Sequence, residues 1–179
     1  MTDSLHDDLE DDKPSPWRKA AIIFAALIMV SLFVVYAVVG PVQHKIVGNL
    51  HSESLLANSL HFKDYSLFFE QNTSSILSQL FTENQEIKEV EMSVCLSGQV
   101  ENKNYYLETI FYPTIIEQSM VHVSFASCPL NTLVMLHSHP FGDCLASDTD
   151  LKTLKNAQKR NEDVIMVIMC STDRYALYH

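Results

Sequence analysis

Read for apolar and polar positions alone, the chain divides near residue 40. From Ala20 to Val39 the stretch AAIIFAALIMVSLFVVYAVV carries no charge in twenty positions. That length matches the roughly 20 residues needed to cross a hydrocarbon core of ~30 Å. A soluble core helix as long would show a polar stripe, and none is present here. The run also exceeds the about 7–15 apolar residues of a signal peptide, and no A-x-A cleavage pattern follows it. The pattern predicts one retained transmembrane helix over 20–40, with Trp17 and Tyr36 as interfacial rings.

Behind it, PVQHKIVGNLHSESLLANSL at 41–60 mixes polar and apolar residues without a period. Pro41 is expected to end the span, and the segment reads as a juxtamembrane linker. Residues 61–179 are enough for one compact core. YSLFF at 65–69 is a short strand candidate. SSILSQLFTEN places Ile76, Leu77, Leu80 and Phe81 at helical spacing behind serines able to cap the helix. VEMSVCLSG alternates Val90, Met92, Val94 and Leu96 against Glu91, Ser93, Cys95 and Ser97, which predicts a strand with one buried face. NYYLETIFYP and SMVHVSFA repeat the alternation, the latter with Val121, Val123 and Phe125 inward and His122 on the open face. TLVML is a continuous apolar run of strand length, followed by a helix over about 148–160 and two closing strands, DVIMVIMCS and RYALYH. The fold class is α/β, a mixed sheet with helices packed on it.

Composition narrows the picture. The 179 residues carry a net charge of −10, and half of that excess lies in residues 1–16, with six acids and one lysine and no apolar pattern to bury. Residues 1–19 therefore read as a disordered acidic tail. Acidic balance without a basic, aromatic-rich cluster argues against nucleic acid as a partner, and no Walker-type or G-x-G-x-x-G glycine loop is present. Lys13, Arg18 and Lys19 precede the span while only Lys45 closely follows it, so the positive-inside rule puts the N-terminus in the cytosol and the rest outside. Cys95, Cys128, Cys144 and Cys170 stand singly, without the density of a secreted disulfide scaffold, and read as buried thiols, which favours a cytosolic domain instead. Asn72-Thr73-Ser74 has the form of a glycosylation acceptor, meaningful only in a glycosylating compartment.

The segment HSHPFGDCLASDTD at 137–150 holds the candidate chemistry. His137 and His139 are two apart, so in an extended chain their rings share one side and can share a cation at about 2.0–2.1 Å. Asp150 offers an oxygen from the helix that starts downstream, and three protein ligands leave a fourth tetrahedral position open, as in catalytic zinc sites. SDTD is also a helix-start signature in which Ser147 caps the helix; the same hydroxyl can instead face a metal and donate to a developing oxyanion. Pro140 and Gly142 shape the turn. Cys144 is either a fourth ligand or a side chain packed under the loop.

The segment resembles, without a gap, the H-S/T-H-P-x(6)-S-x-x-D signature of the JAMM (JAB1/MPN/Mov34) metalloproteases. The resemblance covers roughly residues 60–179 and implies a curved, JAB1/MPN-like sandwich related to cytidine deaminases. It implies one catalytic Zn2+ held by His137, His139 and Asp150, with Ser147 stabilising the oxyanion. The family also uses a glutamate in a pattern close to E-x-x-G-x-L-x-G as general base. EMSVCLSG supplies Glu91 and, seven residues on, Gly98, with Val94 at the inner glycine; Glu89 is the other candidate. The implied function is a membrane-anchored zinc metallopeptidase acting on a protein substrate, removing ubiquitin or a small ubiquitin-like modifier by hydrolysis of an isopeptide or peptide bond. A non-catalytic MPN-like scaffold recruiting partners at the membrane, and a zinc-stabilised receptor domain, are the other readings.

Overall fold

The computed structural model describes residues 15–70, 72–120, 122–139 and 143–179. Most of the acidic tail, Val121, Pro140 and Gly142 lie outside the described residues. Backbone contacts divide the chain into two units, Met1–Val42 and Gln43–His179.

The unbroken apolar run forms α1 (Pro16–His51). Its stretch Pro16–Tyr36 is long and apolar enough to cross a membrane, and Phe24, Leu27 and Phe33 there are exposed rather than packed against protein. Pro41 does not end the helix as expected. Gly40 precedes it and lacks the Cβ that ordinarily meets the proline ring.

The remaining elements are β1 (Ser52–Ser54), β2 (Ser59–His61), β3 (Ser66–Phe69), α2 (Thr73–Phe81), β4 (Ser93–Glu101), β5 (Asn104–Phe111), β6 (Ile115–Gln118), β7 (Val123–Phe125), β8 (Thr132–Ser138), α3 (Asp148–Gln158), β9 (Ile165–Ser171) and β10 (Arg174–Tyr178). A π-helical turn over Thr82–Ile87 follows α2. Eight strands form one mixed sheet in the order β1-β10-β9-β8-β4-β5-β3-β2, and β6 and β7 form a separate ribbon. β3 pairs with β5, and β8 with β9, in parallel; the other pairs are antiparallel. The α/β class read from the sequence is thus the one found. The segment taken as a linker is different: after α1 it supplies β1 and β2, the two outer strands. Each is three residues long, too short to print an alternation on the sequence.

Side-chain parity separates the two faces of the sheet. Leu77 and Phe81 of α2 pack on one, against Val94 and Leu96 of β4, Val134 and Leu136 of β8, and Ile165 and Val167 of β9. Leu154 and Ala157 of α3 pack on the other, against Cys95, Met135 and Met166. Every residue of β8 is buried, as its continuous apolar run predicts for a strand covered on both sides. β4 corrects the expectation of one open face, because Glu91, Ser93, Cys95 and Ser97 are buried as well. It lies between β8 and β5, and its polar side faces the site rather than water.

Local devices fix the register. A bulge interrupts β4 around Leu96–Gly98, which bends the strand. A Cβ on Gly98 would lie 1.8 Å from the Tyr106 carbonyl oxygen, so only glycine allows the approach of β5 there. The start of α2 departs from expectation: Asn72 is its N-cap and no side chain caps it. Ser74 donates instead to Asn58 Oδ1 (2.6 Å).

The cysteines are also corrected. All four are buried, but as two disulfides, Cys95–Cys128 and Cys144–Cys170. The partners lie 33 and 26 residues apart, and in each pair a strand cysteine, Cys95 of β4 or Cys170 of β9, meets one from a loop that the fold brings over it.

Candidate metal centre

Strand periodicity and a helix cap assemble the site. His137 is opposite Ser93 on β4. One residue beyond β8, the His139 N–H donates to the Met169 carbonyl (3.1 Å), so the chain stays tied to β9 and both rings fall on the α3 side. Ser138 points the other way. Its buried hydroxyl accepts from the Met92 N–H (2.9 Å) and from Gln85 Nε2 (2.7 Å), which pins the start of β4 to the end of β8. The signature restricts this position to Ser or Thr, but the periodicity that aims the histidines gave Ser138 no role.

Asp150 is the third residue of α3 and closes a capping box with Ser147. Ser147 Oγ accepts from the Asp150 N–H (3.2 Å) and donates to Asp150 Oδ2 (2.6 Å), and the Ser147 N–H donates to the same oxygen (2.8 Å). The helix-capping role of Ser147 is therefore realised, and through it the carboxylate is aimed. Tyr178 steadies the preceding loop: its hydroxyl donates to the Cys144 carbonyl (2.7 Å) and accepts from the Ala146 N–H (3.0 Å). Only the fold shows this residue, since it lies 28 positions beyond Asp150. Cys144 is bonded to Cys170, which removes it as a thiolate ligand.

Three of the residues singled out in the sequence converge. His137 Nε2 and His139 Nε2 are 3.1 Å apart, and Asp150 presents Oδ1 to the first at 3.4 Å and Oδ2 to the second at 3.5 Å. Bonds of about 2.0–2.1 Å to a tetrahedral zinc place ligand atoms roughly 3.3–3.4 Å from each other. Each histidine meets a different oxygen of the carboxylate; with one atom taken from each residue, the three lie within 4.8 Å of one another, a donor set whose chemistry and proximity fit a zinc ion. Two neutral imidazole nitrogens facing each other share at most one proton, whereas a cation satisfies both lone pairs.

Glu91 approaches from the start of β4, on the same side by parity. It is buried, and its backbone is held between the Ser119 carbonyl and the Gln118 amide. Burial pushes its carboxyl up to about 7, with His139 opposing the shift and Asp150 adding to it. Glu89 is exposed, on a left-handed backbone with φ 56°, so of the two glutamates only Glu91 is brought into the site. Burial raises the Asp150 pKa, but hydrogen bonds from His137 and His139 outweigh it and hold the carboxyl far below the usual range. On His139 burial disfavours charge, and the Asp150 hydrogen bond with the Glu91 and Asp143 charges reverses that and raises its pKa.

A cavity of about 260 Å³ runs between α3 and β7, lined by Thr149 and Thr153, Val123 and Phe125, and Met135. Thr149 is the chain neighbour of Asp150, and exposed His122 lies at the ribbon side of this groove.

No protein-family model matches the chain, and no curated protein matches it. Among solved structures, a JAB1/MPN domain protein from Archaeoglobus fulgidus resembles it with a TM-score of 0.37 at 16% identity, over 59% of this chain and 85% of that one. At that level of likeness the case for a function rests on the site itself.

Proposed function

We propose that Gln43–His179 is a zinc-dependent metallopeptidase domain, anchored to a membrane by α1, that hydrolyses a peptide or isopeptide bond. The observation that carries this reading is the convergence of His137, His139 and Asp150, whose ligand atoms, one from each residue, lie within 4.8 Å of one another, with a buried carboxyl of pKa about 7 beside them. Zinc, when bound, brings water within reach of deprotonation near neutral pH and polarises a carbonyl. Glu91 takes the proton of the attacking water and returns it to the leaving amine; a pKa near the working pH suits both transfers. Ser147 orients the Asp150 carboxylate, and its hydroxyl, on exchanging that hydrogen bond, donates to the carbonyl oxygen as that oxygen gains charge. The groove beside α3 holds the substrate chain and limits water around the bond. A site meant only to stabilise the fold would close the fourth position with a protein ligand, and the nearby cysteine that could do so is in a disulfide.

The test is elemental analysis of the purified full chain in detergent. Stoichiometric zinc is expected, lost in His139→Ala while the fold persists by circular dichroism. A folded wild-type chain that neither carries nor takes up zinc would falsify the reading and leave the scaffold in its place.

A further inference from the structure

All four cysteines are paired on the side of the sheet that carries the histidines. Cys95 and Met135 belong to the α3-side cluster, and Cys144 and Cys170 pack with Ile168, the neighbour of His137 across β8 and β9. Cys95–Cys128 ties the segment before β8 to β4, with Cα atoms 5.9 Å apart. Cys144–Cys170 ties the loop between His139 and Asp150 to β9, with Cα atoms 5.3 Å apart. Each bond thus fixes a chain segment that positions a candidate ligand. Such bonds form and last in oxidising compartments and are rare where cellular thiols keep cysteines reduced.

The charges around α1 point the same way by separate physics. Lys13, Arg18 and Lys19 precede the apolar run and Lys45 alone closely follows it. Bases near a span stay on the cytoplasmic side, and acids, including those of the tail, weigh little. An apolar segment removed as a leader would send the following domain across the membrane just as an anchor does. A cytosolic domain has two supports, the family resemblance with its modifier substrates and the reading of the cysteines as thiols, and the disulfides remove the second.

We propose that Gln43–His179 lies on the non-cytoplasmic side of the membrane and that its substrate is an amide bond of an exported polypeptide rather than a modifier conjugate of the cytosol. The reaction named rests on the metallopeptidase reading; the compartment does not.

The full chain, expressed in a bacterial host, provides the test. Cells are quenched in acid and free thiols are blocked; disulfides are then reduced and tagged with a polyethylene-glycol maleimide. The expected result is a gel shift of four tags that appears only after reduction, matching the two disulfides; cysteines already blocked in the first step overturn the proposal. Alkaline phosphatase fused behind His179 folds only in an oxidising compartment and is expected to be active. A stable but inactive fusion, beside an active cytosolic reporter at the same position, overturns it as well. Peptide ends that depend on Glu91, absent in Glu91→Gln, are expected in the exported protein fraction, and their absence there sinks the substrate class. Thiol state and topology need neither metal nor turnover. A chain that passes both but holds no zinc therefore removes only the metallopeptidase, and a zinc-loaded chain with free thiols removes only the compartment.

Discussion

Glu91 is kept buried at an energetic cost, and the cost has a sign in pH. Its folded pKa of about 7 lies above the ordinary carboxyl value of 4.5. Stability is therefore undiminished below the lower value and falls as pH rises through the higher one, because the native state resists losing the proton. In metal-free protein, Glu91→Gln is expected to be more stable than wild type at pH 8 by on the order of 2–3 kcal/mol, with no difference near pH 4. Thermal unfolding in chelator at the two pH values checks it, and equal midpoints at pH 8 would mean that the carboxyl is not desolvated. Ser147 separates structure from chemistry in another way. Ser147→Ala is expected to lose about 1 kcal/mol with the cap and roughly a hundredfold in turnover with the oxyanion donor. Ser147→Asn, an equally good cap, should recover the stability and not the turnover; recovery of both would leave Ser147 a cap alone. His137, His139 and Asp150 were legible before folding because a strand period of two and a helix-start signature fix where they point. Ser138, Tyr178 and the cysteine partners were not, since each acts across elements that only the sheet order joins.

Among the elements, β8 was the easiest to read and β4 the most misleading. TLVML is a continuous apolar run of strand length, and the fold covers it on both faces. β4 and its lead-in carry Glu91, Ser93 and Ser97 on alternate positions, a pattern shared by a strand facing water and a strand facing a polar site. Sequence periodicity reports polarity, and polarity alone does not tell solvent from an active centre. β1 and β2 escaped because three residues make no period. The glycine at 98, by contrast, carried information that alternation did not. With the Tyr106 carbonyl 1.8 Å from where a Cβ would stand, Gly98→Ala is expected to cost about 3 kcal/mol or more, read from chemical denaturation. A loss under about 0.5 kcal/mol, the range of ordinary surface substitutions, would show that β5 is free to move away from the bulge.

For the molecule as a whole, the division at Val42 and Gln43 has a thermodynamic meaning. The core clusters draw only on residues beyond Gln43. A chain starting at Gln43 is accordingly expected to unfold in one cooperative transition, within a few degrees of the same domain in the full chain. Loss of that transition on removing the preceding residues would show that α1 contributes to the fold and not only to its address. The α/β class was readable at this scale, whereas the order of eight strands was not, because parallel pairing of β3 with β5 joins segments far apart in sequence. That order sets a division of labour within single strands. In β4 and β8, Val94, Leu96, Val134 and Leu136 face the α2-side core, whereas Ser93 and His137 lie on the opposite face, where Cys95 and Met135 pack under α3. On β4 and β8 one strand thus serves two neighbourhoods, so a substitution at Val94 or Leu136 is felt in the α2-side core and one at Ser93 or His137 at the candidate site.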